Sequence, residues 1–560
     1  MGNSVRNIVL WIVALVALNF LSSRYHHRFD LTEDGRYTIS KETKSLLDEA
    51  PMDIYVDVFL DGELPAEFLK LKQETRQLLE ELASIHPNLK YEFLNPLEDL
   101  NQEESNQVIQ RLAAEGVQPA MATIMEKGKQ TNVTVIPYAI IAYDGKRTAI
   151  PLLKKVARST TEERVNASIQ QLEYQLADGL RKVSKSKDKK IAVLRDSGEL
   201  TDLQLADFIG SLQAYYRVAP FGIEFVTKSD SITPVQVLQE LKNYDLVIEA
   251  KPTVALSETK KFILDQYLMN GGQLLMAIDP IIMENDSLAN PEAIAYALPR
   301  DLKLDDMLFR YGMRLNRGLI KDIQSGALAL ATGEGRNTQY EAFQWPYYPL
   351  ASGDSSNTIT RNLEDVKFEY TGSLDTLKTA TKKKILLASS KETQQVTLPA
   401  ALSLSEIDVD IDPALYRSGS KPLAAMAEGQ FISAYKNRVK PFDLPNALEE
   451  SQPTALFLSA DGDIMKNQVD RGQPQDLGYD MRTGQFYGNK EFLMNVVNYM
   501  LADDNLMELR NKNVKVPFLD IKRSYDNRTY WQAVNILVPL MLILGAGFLF
   551  LWMRKRKYAY

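Results

Sequence analysis

Apolar positions in this chain follow three rhythms. At the two ends they run on without interruption. From Val534 to Trp552 the only strongly polar residue is Asn535, and a helix of ~19 residues reaches ~28 Å, close to the hydrocarbon thickness of a bilayer. Arg554-Lys555-Arg556-Lys557 follows at once, and such a cationic flank marks the cytoplasmic side of a span. Pro539, Gly545 and Gly547 do not count against a helix there, because membrane helices tolerate both residue types. At the other end, Asn7 to Ser23 carries no charge and follows Arg6. It is short and has no clean small-x-small cleavage site, so it reads as an uncleaved anchor rather than a signal peptide. Two spans with a basic tail put both termini in the cytoplasm and the long middle outside.

The second rhythm, a mixture of short strands and amphipathic helices, begins behind a connector. Ser40 caps a helix from Lys41 to Glu49 that Pro51 ends. Ile54 to Phe59 is strand-like. Pro65 opens a helix with Phe68, Leu71, Leu78, Leu79, Leu82 and Ile85 on one face, stopped by Pro87. A strand at Tyr91 to Leu94, a helix closing at Gly116 and strands around Ala122 to Met125 and Val133 to Tyr143 follow. Asp144-Gly145 then turns the chain into Thr148 to Leu152. The order β-α-β-α-β-β is that of a thioredoxin-like unit, and without a Cys-x-x-Cys it is a scaffold rather than a redox site. One long amphipathic helix is expected over residues 162–183, on Val165, Ile169, Leu172, Leu176, Leu180 and Val183. The lysine-rich stretch to Lys190 reads as a linker.

From Ile191 onward, buried-type strands alternate with helices. Ile191 to Leu194, Gly222 to Val226, Leu246 to Ile248 and Leu274 to Ile278 are separated by helical patterns at residues 202–215, 234–242 and 257–269, the last stopped by Gly271-Gly272. Another helix is expected over 301–312. This is the pattern of a doubly wound parallel sheet. Polar insertions then intervene, with a Trp345-Pro346-Tyr347-Tyr348-Pro349 cluster and expected strands at Ile385 to Ala388 and Phe431 to Tyr435. A strand at Thr454 to Ser459 and a helix through Phe492, Leu493, Val496, Val497 and Met500 resume the sheet.

The predicted organisation is therefore α/β. It has a first transmembrane helix (1–23), a connector (24–51), the thioredoxin-like unit (52–155) and a helix with linker (156–190). The doubly wound domain spans 191–515 with an insertion at about 326–446. A return connector (516–532), the second transmembrane helix (533–553) and a basic cytoplasmic tail (554–560) complete the chain.

Composition narrows the chemistry. The net charge of −8 provides no basic footprint for nucleic acid. With no cysteine, disulfides, thiolate metal sites and cysteine nucleophiles are excluded. Of three histidines, His26 and His27 lie beside the first span and His86 precedes Pro87. None serves the sheet as a general base, and no histidine zinc set forms. There is no G-x-x-x-x-G-K-[ST] loop, because Gly333-x-Gly335 lacks the lysine, and no G-x-S-x-G elbow. No cofactor is expected. Ligands of open α/β sheets sit beyond the carboxyl ends of the strands. Three loops there are acidic: Arg195-Asp196-Ser197-Gly198-Glu199, Asp279-Pro280 and Asp461-Gly462-Asp463. If they converge, Asp196, Ser197, Glu199, Asp279, Asp461 and Asp463 form a candidate ligand or partner site for a cation, a peptide amine or a sugar.

Four features together resemble one known family. They are the terminal spans; Arg28-Phe29-Asp30-Leu31-Thr32 with Tyr37-Thr38-Ile39-Ser40; the sheet with its Gly198-Glu199 loop; and the Asn489 to Met500 helix running into Leu509-Arg510-Asn511-Lys512. The family is that of the gliding-motility-associated ABC-transporter auxiliary proteins of GldG type. Its members often carry Gly-His-Gly-Glu where this chain has Asp196-Ser197-Gly198-Glu199; the missing histidine argues against catalysis by that loop. The resemblance implies a non-ATPase subunit in a bacterial inner membrane, working with a multi-spanning permease and a cytoplasmic ATPase. Its large domain would be periplasmic and meet a periplasmic protein or substrate. Two other classes fit the residues: a membrane-tethered small-ligand-binding protein, and an envelope hydrolase with paired carboxylates.

Overall fold

The structure, a computed structural model, describes residues 38–126, 129–154, 160–224, 232–332, 339–502 and 527–558, together with Trp11 and Leu509. Apart from Trp11, the expected first span, Arg6 included, lies outside the described residues, as does most of the connector behind it. The chain packs as two units, Tyr37–Lys512 and Met1–Arg36 with Asn513–Tyr560.

In the second of these, Arg528–Tyr558 is one continuous helix that carries Pro539 inside it. Its Arg528–Arg556 stretch is long and apolar enough to cross a membrane, with a mean hydropathy of 2.4 over its best window and none of that window buried. Arg554, Lys555, Arg556 and Lys557 form its last turns, where cations also complement the helix dipole.

The larger unit opens with α1 (Lys41–Asp48), capped by the Ser40 hydroxyl, which accepts from Thr43 N. There follow β1 (Ile54–Val58), α2 (Ala66–Ile85), β2 (Leu89–Phe93), α3 (Gln102–Ala114), β3 (Ala120–Glu126), β4 (Lys129–Val135), β5 (Tyr138–Tyr143) and β6 (Lys146–Pro151). The sheet order is β2-β1-β5-β6, with β1 and β2 parallel and β5 and β6 antiparallel to their neighbours. The positive φ values of Asp144 and Gly145 make the β5–β6 hairpin turn that those residues predict. The single strand expected from Val133 to Tyr143 is two. Pro137 interrupts it, and β4 pairs with β3 in a separate ribbon.

The helix expected over 162–183 is also two, α4 (Thr161–Gln170) and α5 (Leu172–Ser184), broken at Gln171, whose φ of −113 and ψ of 6 are not helical. Thr160 and Glu163 close a capping box at the start of α4. Val165, Leu172, Leu176, Leu180 and Val183 all bury into the core shared with Leu46, Val56 and Ile141. The stripe therefore packs on its own sheet.

The larger sheet holds β7 (Lys190–Leu194), β8 (Arg217–Phe221), β9 (Leu246–Ala250), β10 (Gln273–Ala277), β11 (Lys382–Ala388), β12 (Pro422–Gly429) and β13 (Thr454–Ser459) in the order β11-β12-β13-β10-β9-β7-β8. The five strands from β13 to β8 are parallel; β12 and β11 extend the edge antiparallel. Helices α6 (Ala206–Gln213) and α9 (Asn489–Met500) share one core with the face of Val193, Ile248 and Leu275. Helices α7 (Pro234–Leu241) and α8 (Glu258–Met269) share another with Ala192, Val247 and Met276. Winding reverses at β7, which has β8 on one side and β9 on the other.

Two strand expectations fail in this sheet. β8 is Arg217–Phe221, not a run beginning at Gly222. The strand expected at Phe431 to Tyr435 is irregular, and the real one, β12, lies just before it. Ala434 N donates to Asp265 Oδ1 at 2.7 Å and Ser433 Oγ to Asp265 Oδ2 at 2.7 Å. A buried carboxylate of α8, rather than a neighbouring strand, thus satisfies this segment. The Trp345–Tyr348 cluster lies within the strand Gln339–Ala351, and Trp345 is fully buried against Tyr347.

Candidate functional site

The three acidic loops all leave the carboxyl ends of parallel strands, but they do not meet in one place. Each closes around a buried lysine, forming two separate ionic clusters.

The first fills the point where the winding reverses, which is where sheets of this strand order bind ligands. The loop after β7 supplies Asp196, Ser197 and Glu199; β9 supplies Glu249. Ser257 caps α8, its hydroxyl accepting from Lys260 N at 3.1 Å, and this places Lys260 in the first turn. A cation there opposes the helix dipole. Carboxylates compensate it: Lys260 Nζ lies 2.8 Å from Asp196 Oδ1, 3.0 Å from Glu199 Oε1, 3.0 Å from Glu249 Oε2 and 2.7 Å from Ser197 Oγ. Lys260 is completely buried and no carboxylate of the group is more than 4% exposed.

Thr253 N and Val254 N both donate to Ser197 O at 2.9 Å and pin the loop to the one after β9. Gly198, at φ +70, permits this approach; a Cβ there would lie 2.2 Å from Thr253 Oγ1. Glu249 Oε2 meets Lys260 as an ion-pair contact, and among the described residues neither of its oxygens has a well-aligned hydrogen bond. Burial pushes its pKa up to about 8, with Lys260 opposing and the Glu199 charge adding. Burial also acts against ionised Glu199, but the Glu249 carboxyl and the Lys260 ammonium outweigh it and hold its pKa below the usual value. Glu249 therefore keeps a proton at neutral pH while Glu199 stays charged.

The second cluster is built after β9, β10 and β13. Lys251, at φ +55, is 3% exposed. Its Nζ lies 2.7 Å from Asp463 Oδ2, 2.6 Å from Glu284 Oε1 and 3.2 Å from Asp279 Oδ2. Lys466 Nζ adds contacts of 3.1 Å to Asp463 and 3.2 Å to Glu284. Asp279 Oδ1 accepts from Gly462 N. Asp461 accepts from Glu369 N at 2.6 Å and Asp463 N at 2.7 Å.

Burial, followed by the charge of Asp463, raises Asp279 to about 6. Burial together with the Asp279 and Asp463 charges pushes Asp461 well above the carboxylate range. Asp463 is held low: burial works against it, and Lys251 and Lys466 prevail. Oxygens of Asp279, Glu284 and Asp463 lie within 4.8 Å of one another, close enough to hold a metal ion. The Lys251 ammonium already sits among them, so a metal would have to displace it.

Gly462 is what lets Lys251 in, since a Cβ there would fall 2.5 Å from Lys251 Cβ and 2.9 Å from its Cα. Gly462→Ala is expected to push Lys251 off Asp463 and to destabilise the larger unit by about 1–3 kcal/mol, the usual cost of overpacking. Urea unfolding of the variant against the parent chain reads this directly, and an unchanged midpoint would sink it.

The structure thus divides the six sequence-identified residues three and three. It adds groups that the sequence pattern did not mark: Lys260, Lys251, Lys466, Glu249 and Glu284. A signal for two of them was present. Glu249 interrupts an otherwise apolar buried strand, and Lys260 occupies the first turn of a helix whose residues from Lys260 to Met269 are all buried. As chemistry, the clusters are neutralised clamps that lock loops together.

A family model described as an ABC-type uncharacterized transport system matches residues 188–496, more than half of the chain. A domain of unknown function matches residues 33–142. An uncharacterized protein of Borreliella burgdorferi is 22% identical over 565 residues, covering 99% of each chain. Among solved structures, the mmIFT52 N-terminal domain is similar at 13% identity and a TM-score of 0.31, over 56% of this chain and 97% of that one. A putative ThuA-like protein from Parabacteroides merdae is similar at 12% identity and a TM-score of 0.27, over 59% and 94%. At those TM-scores the two likenesses carry no argument.

Proposed function

Because this chain belongs to the ABC-type uncharacterized transport system family of auxiliary proteins, we propose that it is a non-enzymatic accessory subunit, anchored in the bacterial inner membrane, that works beside a permease and an ATPase. The family match over residues 188–496 carries the reading. The apolar Arg528–Arg556 helix supports the anchor. Burial of Asp196, Glu199 and Glu249 around Lys260 supports a scaffold rather than a catalyst, since that cluster fills the usual ligand crevice of such a sheet. The sequence carries no phosphate-binding loop, so energy has to come from a partner chain.

In this reading both termini are cytoplasmic, the large unit is periplasmic, and the β2-β1-β5-β6 sheet is a thioredoxin-like scaffold. Resemblance to the GldG type makes surface motility the process served. Movement of the permease, driven by ATP, would pass through the terminal spans to the periplasmic unit and its protein partner. Mild-detergent purification of the full chain from its own cells, followed by mass spectrometry, tests this. A multi-spanning permease and a P-loop ATPase in constant proportion are expected. Recovery of the chain without either would overturn the proposal.

A further inference from the structure

Beside the second lysine cluster lies a cavity of about 340 Å³, walled on one side by Leu328 and Leu330 of the strand Ser325–Thr332. A smaller one of about 40 Å³, lined by Asp463 and Lys466, shares Lys367, Glu369 and Asp480 with it. The larger volume is at the lower end of the range for small-molecule sites, and an apolar wall facing a few fixed polar groups is their usual build.

The polar groups sort by what they already do. Lys367 Nζ is 2.8 Å from Glu369 Oε1, 3.5 Å from Asp480 Oδ2 and 4.4 Å from the centre of the Tyr348 ring, so these charges satisfy one another. Two charged groups of the lining have no ion-pair partner among the described residues, Arg482 and Asp286. Arg482 is nonetheless held in place, its guanidinium stacked 4.4 Å over the Tyr340 ring. Asp286 sits exposed on the short 3-10 turn Asn285–Leu288. Beside it, Asn285 Oδ1 accepts from the hydroxyls of both Tyr348 and Tyr370. The oxygen end of that amide is thereby taken and its NH2 remains to donate.

From this we infer that the cavity takes a small zwitterion of the α-amino-acid class with an aliphatic side chain, as a free amino acid or a short peptide. The guanidinium of Arg482 and the amide NH2 of Asn285 suit the carboxylate, Asp286 the ammonium, and the Leu328–Leu330 wall the side chain. A simple anion would leave Asp286 opposing it, and a simple cation would leave Arg482 opposing it; a zwitterion answers both. The inference stands independently of the accessory-subunit reading, because it concerns binding by this chain alone.

The test is calorimetric titration of the full-length protein in detergent with L-leucine and with L-alanyl-L-leucine. N-acetyl-L-leucine amide, which lacks both charges, is the control. Saturable binding of either zwitterion, at least tenfold tighter than the control, is expected, and which of the two binds tells free amino acid from peptide. Arg482→Gln and Asp286→Asn, both at exposed positions, should each weaken binding at least tenfold. Leu330→Trp, enlarging the apolar wall into the cavity, should abolish it. No saturable binding of either zwitterion at millimolar concentration would overturn the assignment. So would binding that Arg482→Gln and Asp286→Asn leave unchanged.

Discussion

Replacing Lys260 with methionine will loosen the centre of the larger sheet by about 3–5 kcal/mol, the cost of removing one partner from a buried ionic group. Three carboxylates surround its ammonium at 2.8–3.0 Å, and none can turn to solvent. Methionine matches the length of the side chain, so cavity formation adds little and the effect reports charge. Amides of β7 and β9, the strands that carry the cluster, should exchange with deuterium roughly a hundred- to several thousandfold faster, at tenfold per 1.4 kcal/mol. Those of β1 and β5, in the other sheet, should be unaffected. Adding Glu199→Gln to the variant should restore part of the protection, because it removes one of the charges left without a partner. Exchange within threefold of the parent would mean that the cluster is electrostatically idle.

A Glu249→Gln variant will flatten the dependence of stability on pH between about 6 and 8. Glu249 titrates at about 8 in the folded chain against an ordinary 4.5. Below 4.5 both folded and unfolded chains hold the proton, and pH has no leverage through this group. Between the two values the folded chain holds a proton that the unfolded one has released, so stability falls as pH rises, by up to about 1.4 kcal/mol per unit. Above 8 both have lost it and the slope ends. Asp279 acts in the same direction, but its value of about 6 confines its share to lower pH. Asp461, also pushed up by burial, gives parent and variant the same slope, so the difference between the two across 6 to 8 reports Glu249. Glutamine, which carries no titrating proton, should come closest to the parent below about pH 4.5 and exceed it at pH 8. Denaturant midpoints taken across the interval decide it, and parallel slopes for parent and variant would refute the assignment.

How much of this was readable in advance depended on how local each cause is. Ser257 as a cap, Gly271 as a stop and Asp144-Gly145 as a turn act within a few residues, and each does what its chemistry requires. β12 was missed because its core, Leu423-Ala424-Ala425-Met426-Ala427, is rich in alanine and carries little strand propensity. Its place comes from pairing with β13 and β11. The aromatic run just after it looked more like a strand, yet its polar groups are taken by Asp265, some 168 residues away in sequence. The break at Gln171 was hidden because the apolar spacing continues across it.

The sequence by itself determined the mixed α/β class, the long apolar terminal helix with its cationic end, the carboxyl-end position of the acidic loops and the lack of a phosphate-binding loop. These follow from periodicity, length and residue type, which are properties of short stretches. Only the tertiary structure decided that the acidic loops serve two lysines rather than one ligand, and that the crevice at β7 is filled. Lys251 and Asp463 stand 212 positions apart, and no local pattern records which ammonium will meet which carboxylate. That pairing is settled when burial strips water from the charges, because a buried charge must then find its partner within the fold.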